Sequence, residues 1–286
     1  FAKYKGTDQF RYIHQDFTLR DFKFIFFWEW FHRLWARLMG MVFLIGFLYF
    51  VFTKKLSKEM RMPMIILFLL GALQGAIGWI MVKSGLVPEK YFVGHIELTT
   101  HLMMALLLLV YTLWFALKLR LPSNQLVRNS SLHKLVLVTV FVLVLQLIYG
   151  GFMAGLRTAV MAPTWPDING YLVPPAMNSM SPFIKNLFYN PITIHFIHRG
   201  LAYLLTALIL WGWIQSRKMK GSPAFSRFWL IALLLVLTQV GLGILTVLNA
   251  PFANRLIWLG VSHQFTGMLL TICLTALLFV TRGKAV

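Results

Sequence analysis

Cysteine is almost missing from the chain. Cys273 is the single one among 286 residues, so an internal disulfide and a thiolate-bound cluster are both excluded. Acidic side chains are nearly as scarce: eight Asp and Glu stand against 27 Lys and Arg, a formal net charge of +19. Charged residues of both signs are 12% of the chain and hydrophobic ones 59%. In a soluble protein such a charge would suggest nucleic acid. Here the cations lie in short loops between long apolar runs, which is the pattern of the positive-inside rule, and no nucleic-acid partner is expected. Several of those runs reach the roughly 20 residues that a helix needs to cross a hydrocarbon core about 30 Å thick. Lipid tolerates only helices and closed barrels, so the fold class is an all-α polytopic membrane protein.

Seven spans are predicted, near 31–53, 64–82, 95–118, 133–157, 193–215, 226–248 and 258–280. Residues 1–30 are expected outside the bilayer as an extracytoplasmic segment, with a short amphipathic helix near 18–27. Loop charge sets the orientation. Lys54, Lys55, Lys58 and Arg61 form one basic loop; Lys118, Arg120, Arg128 and Lys134 form another; Arg217, Lys218, Lys220 and Arg227 form a third. With Arg282 and Lys284 these define the cytoplasmic side and put the C-terminus there. The opposite loops carry only Lys83, Lys90, Arg157, Lys185 and Arg255, partly offset by Glu89 and Asp167. The segment 158–192 holds Ala162-Pro163-Thr164-Trp165-Pro166 and Asn169-Gly170, and this density of Pro and Gly predicts a fixed, non-helical outer cover.

The chain is organised around Glu29-Trp30-Phe31-His32-Arg33. A carboxylate and an imidazole three residues apart share one face of a helix. Both are costly near lipid, so an intramembrane pair is expected to mark a functional site, with an interfacial pair facing water at the helix mouth as the plain alternative. A second copy follows: Ile197-His198-Arg199-Gly200 opens another apolar run. The next span carries Gln74-x-x-x-Gly78 in one half and Gln239-x-x-x-Gly243 in the other, 42 and 41 residues after the respective histidines. Thr99-Thr100-His101 then matches Val261-Ser262-His263. Spans that repeat in the same direction imply parallel repeats with an even number of spans each. The span at 133–157 has no partner, and the chain begins with Phe1. An additional first span upstream is therefore expected, giving two pseudo-symmetric four-helix bundles. The segments are then 31–118 for the N-terminal half-bundle, 119–132 for a cytoplasmic linker and 133–286 for the C-terminal bundle.

His32, His101, His198 and His263 fall near the outer ends of their spans, two per half. One imidazole from each side of a ring plane is how a helical bundle ligates a haem. Zinc fits less well, because no further Cys or Asp accompanies either pair. His95 competes with His101, since chain spacing from the glutamine does not separate them. His14 reads as a solvated surface residue, His133 as a helix-end residue, and His195 as a residue beside the haem ligand or haem edge. Arg33 and Arg199 are candidates for haem propionate contacts, with snorkelling to headgroups as the plain alternative. The halves differ at one place, Glu29 against His195. A carboxylate beside a porphyrin can act as a base or stabilise positive charge on the ring periphery, so the N-terminal half is read as reactive and the other as an electron-transfer site.

The sequence resembles haem A synthase over nearly its whole length. The resemblance is carried by QDFTLRDFKFIFFWEWFHRLWARLMG, LQGAIGWIMVKSGL, GGFMAGLRTAVMAPTWPDING, FIHRG, TQVGLGILT and SHQFTG. It implies eight spans in the intact protein and oxidation of a ring methyl of haem O to a formyl group, with water as the oxygen source. It further implies Glu29 as the catalytic carboxylate, His32 and His101 flanking haem O, and haem b held by His198 and His263. Some bacterial members have a cysteine pair in the first external loop; this sequence has none there. The resemblance also points to a bacterial plasma membrane and to haem sites near the outer face. Implied partners are membrane lipid, haem O synthase and terminal oxidase assembly factors, with a homo-oligomer left open. The competing readings are a di-haem b-type, quinol-oxidising electron-transfer subunit and a non-catalytic haem-binding assembly protein.

Overall fold

The computed structural model describes residues 1–85, 87, 90–122, 126–127, 129–218 and 223–282. Arg128, Lys220, Lys284 and Glu89, used above for orientation, lie outside the described residues. Among those described, the chain is helical and has no strand, only an isolated bridge between Ile168 and Tyr171. Among the described residues, seven helices are long and apolar enough to cross a membrane.

The first compact unit is Phe1–Leu108. It opens with α1 (Ala2–Lys5) and α2 (Asp8–Ile13), then α3 (Leu19–Phe52), α4 (Lys58–Ser84) and the first half of α5 (His95–Arg120). The separate helix expected at 18–27 is instead the beginning of α3. Thr18 caps it reciprocally with Asp21: its hydroxyl accepts the Asp21 N–H, and the Asp21 carboxylate accepts the Thr18 N–H at 2.9 Å. No Gly or Pro follows until Gly40, so nothing stops the helix before the bilayer. His14 is also less solvated than expected. Its ring stacks on Phe17 with centroids 3.9 Å apart, and Nδ1 bonds the Tyr4 hydroxyl.

The second unit is Leu109–Val286. After the end of α5 come α6 (Ser130–Leu156), α7 (Thr158–Met161), α8 (Ile184–Tyr189), α9 (Pro191–Arg217), α10 (Pro223–Leu248) and α11 (Ala253–Thr281). Helix α6 packs on α9 and α11, and α10 packs on the same two, so the four long helices close a ring. Its centre is Val136, Ile209, Trp229, Leu233, Leu274 and Leu277. Lipid tails are as apolar as these side chains, so close packing rather than water exclusion holds such helices together. Gly212 shows this: a Cβ there would collide with the Trp229 ring.

The segment 158–192, expected as a non-helical cover, is not free of helix. Besides α7 and α8 it contains a 3-10 turn at Pro175–Asn178. Asn190, 3% exposed, ties it down. Its Oδ1 accepts the Ile192 and Thr193 N–H groups at 3.0 and 3.3 Å, capping α9, and Pro191 follows at the first helical position. Its Nδ2 donates to the Ala176 carbonyl at 2.8 Å and to Asn186 Oδ1 at 2.9 Å. Asn190→Ala deletes the cap and orphans buried partners, and is expected to destabilise the cover by about 2 kcal/mol. Limited proteolysis between residues 162 and 189 should then run faster than in the unaltered protein; equal cleavage rates would contradict this anchoring role.

Candidate functional site

In the first unit α3 presents His32 and α5 presents His101. Their ring centroids are 6.5 Å apart and the planes are inclined at 72°. In the second unit α9 presents His198 and α11 presents His263, with centroids 6.4 Å apart at 68°. Two imidazoles bound to one metal from opposite sides, each through a nitrogen at about 2 Å, place their centroids roughly 6.3 Å apart. Both pairs match that spacing. Among the described residues no group of three or more His, Cys, Asp or Glu converges, so neither pair is completed into a four-ligand site by protein side chains. A porphyrin supplies its own four in-plane nitrogens and asks the protein for two axial ligands, which is the donor set present in each unit. His101, not His95, faces His32; His95 is the first residue of α5.

The helices beside the histidines leave room for them. At Gly78 on α4 a Cβ would stand 2.7 Å from Cε1 of His101. At Gly150 on α6 and Gly243 on α10 the same construction gives 3.2 Å to Cε1 of His198 and 3.1 Å to Cε1 of His263. The side-chain oxygens of Gln74, Gln146 and Gln239 and the Nδ1 atoms of His101 and His198 are buried without a hydrogen-bond partner. Such orphaned groups beside an imidazole pair are what a polar or metal-bearing ligand would complete.

The arginine after each histidine turns back one helical turn. Arg33 Nη1 donates to Glu29 Oε1 at 3.1 Å, an exposed ion pair. Arg199 Nε donates to Nε2 of His195 at 3.0 Å, and His195 is fully buried. The correspondence of Glu29 with His195, read from spacing, thus extends to their arginine partners. Arg199 does more. Its Nη1 donates to the carbonyls of Pro166 and Asp167 at 3.2 and 2.7 Å, and its Nη2 to that of Thr164 at 2.6 Å. The fork clamps the 164–167 turn, a role the sequence does not reveal because main-chain acceptors leave no mark in composition. The clamped turn has its own support: the Gly170 N–H on the Asp167 carboxylate at 2.8 Å, helped by the Thr164 hydroxyl, holds that carboxyl below the usual carboxylate range. His133 is tied elsewhere, with Nδ1 3.1 Å from the Thr281 hydroxyl.

Seven apolar helices among the described residues, with a facing imidazole pair in each unit, define the class: a multi-pass helical membrane protein with two paired-histidine sites. The chain belongs to the COX15-CtaA family, described as cytochrome oxidase assembly protein, whose model matches residues 1–275. Curated relatives carry the name heme A synthase. The one from Flavobacterium psychrophilum is 37% identical over 94% of this chain and 79% of its own length. That from Nitrosospira multiformis is 37% identical over 87% and 70%, and that from Methylorubrum populi 38% identical over 96% and 71%. No solved structure matches the chain at a significant level.

Proposed function

We propose that this protein is an oxidoreductase that converts haem O to haem A, oxidising one ring methyl to a formyl group. Methyl plus water gives formyl plus four protons and four electrons, so the site must deliver water, accept protons and let electrons leave. The observation that carries the reading is the imidazole pair at the same spacing in both units, with a carboxylate one turn away in only one of them.

In this reading His32 and His101 flank the substrate haem O, and Glu29 is the catalytic base that takes protons from the methyl carbon or the attacking water. Arg33 holds the Glu29 carboxylate, and its guanidinium would pair with a propionate of the bound haem. His198 and His263 hold a resident haem b. When bound, that group supplies one-electron chemistry and an exit for the electrons. Arg199 and His195 keep the outer cover closed over that end of the bundle, since four of the arginine's N–H groups are already engaged. The prenyl tail of haem O lies toward lipid. The matching order of Glu29/His195, His32/His198, Gln74/Gln239, Gly78/Gly243 and His101/His263 supports two duplicated halves in a bacterial plasma membrane. The sites then face the outer side and the C-terminus the cytoplasm. Haem O synthase is the natural supplier and terminal oxidase assembly the natural consumer.

The test is co-expression of the intact protein with a haem O synthase, followed by acid-acetone extraction and chromatography of the haems. Haem A, or its singly hydroxylated precursor, is the expected product. Two b-type haems with no modified product would make the protein a di-haem electron carrier and overturn the proposal.

A further inference from the structure

The second unit is almost without negative charge. Asp167 is the one carboxylate side chain between residues 109 and 286, and it accepts the Gly170 N–H in the outer segment. The basic side chains at the other end of this unit's helices therefore have no counter-ion from their own unit. Among the described residues the ion pairs are Asp8 with Arg11 and Glu29 with Arg33, both in the first unit.

Two of these cations meet at one place. An open cleft of about 300 Å³ is lined by Trp213 and Arg217 of α9 and by Ser226, Arg227 and Leu230 of α10. Helix α9 has 27 residues, so it is roughly 40 Å long, about the thickness of a bilayer with its headgroups. Arg217, its last residue, stands near headgroup level at the far end from His198. The Arg217 guanidinium lies over the Trp213 ring, 5.2 Å from its centroid. That contact uses the face of the guanidinium. Its N–H edge is the part that pairs with phosphate oxygens two at a time. Ser226 adds a hydroxyl donor. Further along α10 the surface turns apolar. Leu230 and Leu234 follow Arg227 on one helix face and are 39% and 56% exposed. Cations at headgroup level, with an open apolar strip leading away from them, are the complement of a phospholipid.

We propose that this cleft binds one anionic phospholipid, with its phosphate between Arg217 and Arg227 and an acyl chain against Trp213 and Leu230. Basic pockets between membrane helices hold such headgroups, and here no carboxylate of the same unit competes for the arginines. The test is native mass spectrometry of the intact protein, titrated in detergent with phosphatidylglycerol and separately with phosphatidylcholine. One phosphatidylglycerol should bind saturably, and phosphatidylcholine should not replace it. Arg217→Gln and Arg227→Gln should each weaken binding about fivefold, and the double variant about 25-fold. Arg217→Lys keeps the charge without the fork, and its loss should be smaller than that of Arg217→Gln. Lys118→Gln with Arg120→Gln removes two cations at the end of α5, outside the cleft, and should leave binding unchanged. Equal phosphatidylglycerol binding by the double arginine variant and the unaltered protein would overturn the proposal. So would an equal loss in the Lys118 and Arg120 variant, which would mean diffuse attraction to the whole basic end. Displacement of the lipid by millimolar inorganic phosphate would make the cleft a site for free phosphate and overturn the lipid assignment.

Discussion

Glu29→Gln should stop the production of formylated haem while leaving the haem between His198 and His263 in place. The change keeps the shape of the side chain and its ability to accept a hydrogen bond from Arg33 Nη1, now 3.1 Å away. It removes only the negative charge and the proton-accepting capacity. Loss of a positioned base is expected to lower turnover by about 100-fold or more. Extracts should then contain haem O in place of haem A, with an unaltered b-type spectrum from the C-terminal half. The equivalent residue in the second unit sharpens the expectation. His195 occupies the same position relative to His198 and is bonded by the same following arginine, yet it is fully buried and engaged with Arg199. Glu29 by contrast is open, with its side chain 55% exposed. Both are engaged by the following arginine, but His195 is sealed in the interior while Glu29 stays open, which suits the base proposed for it. Full haem A output from Glu29→Gln would remove the proposed base from the mechanism.

How much of this was legible in the sequence depended on whether a feature repeats along the chain or lies across it. The spans and the order His32, Gln74, His101, recurring as His198, Gln239, His263, are readable, because the same residue types return in the same order along the chain. Gln146-x-x-x-Gly150 has the same spacing but precedes the histidine that opens the second copy, so the repeat does not bring it out. The choice of His101 over His95 could not be made from chain spacing. The connection from α4 to α5 is longer than that from α10 to α11, so distance along the chain does not report depth in the helix. The Arg199 clamp was hidden for a different reason. Its acceptors are the carbonyls of Thr164, Pro166 and Asp167, and every residue has a carbonyl. The continuity of α3 was readable in principle from Thr18 and Asp21, whose capping pair marks one helix start rather than two.

Gly78→Ala should disable the first imidazole pair, and Gly75→Ala, three residues earlier on the same helix, should not. At Gly78 the new Cβ would be 2.7 Å from Cε1 and 3.2 Å from Nδ1 of His101, closer than carbon atoms approach, so the ring must move. The pair is spaced at 6.5 Å, close to the separation that two metal–nitrogen bonds impose, so a shift of several tenths of an ångström removes one ligand from reach. A misplacement of about 1 Å at a reacting centre costs on the order of 100-fold in rate, and a comparable fall in haem A formation is expected here. At Gly75 nothing lies within 4 Å of the added methyl. There alanine should stabilise the helix by about 1 kcal/mol through its better propensity and leave activity as it was. Gly150→Ala and Gly243→Ala meet their imidazoles at 3.2 and 3.1 Å, tight contacts that a small rotation relieves. They should weaken haem retention in the C-terminal half without abolishing it. Side-by-side haem extraction from the four variants checks the order. Equal turnover in Gly78→Ala and Gly75→Ala would mean that the His101 ring has freedom on its far side, and that its position opposite His32 is not set by the bare backbone of α4.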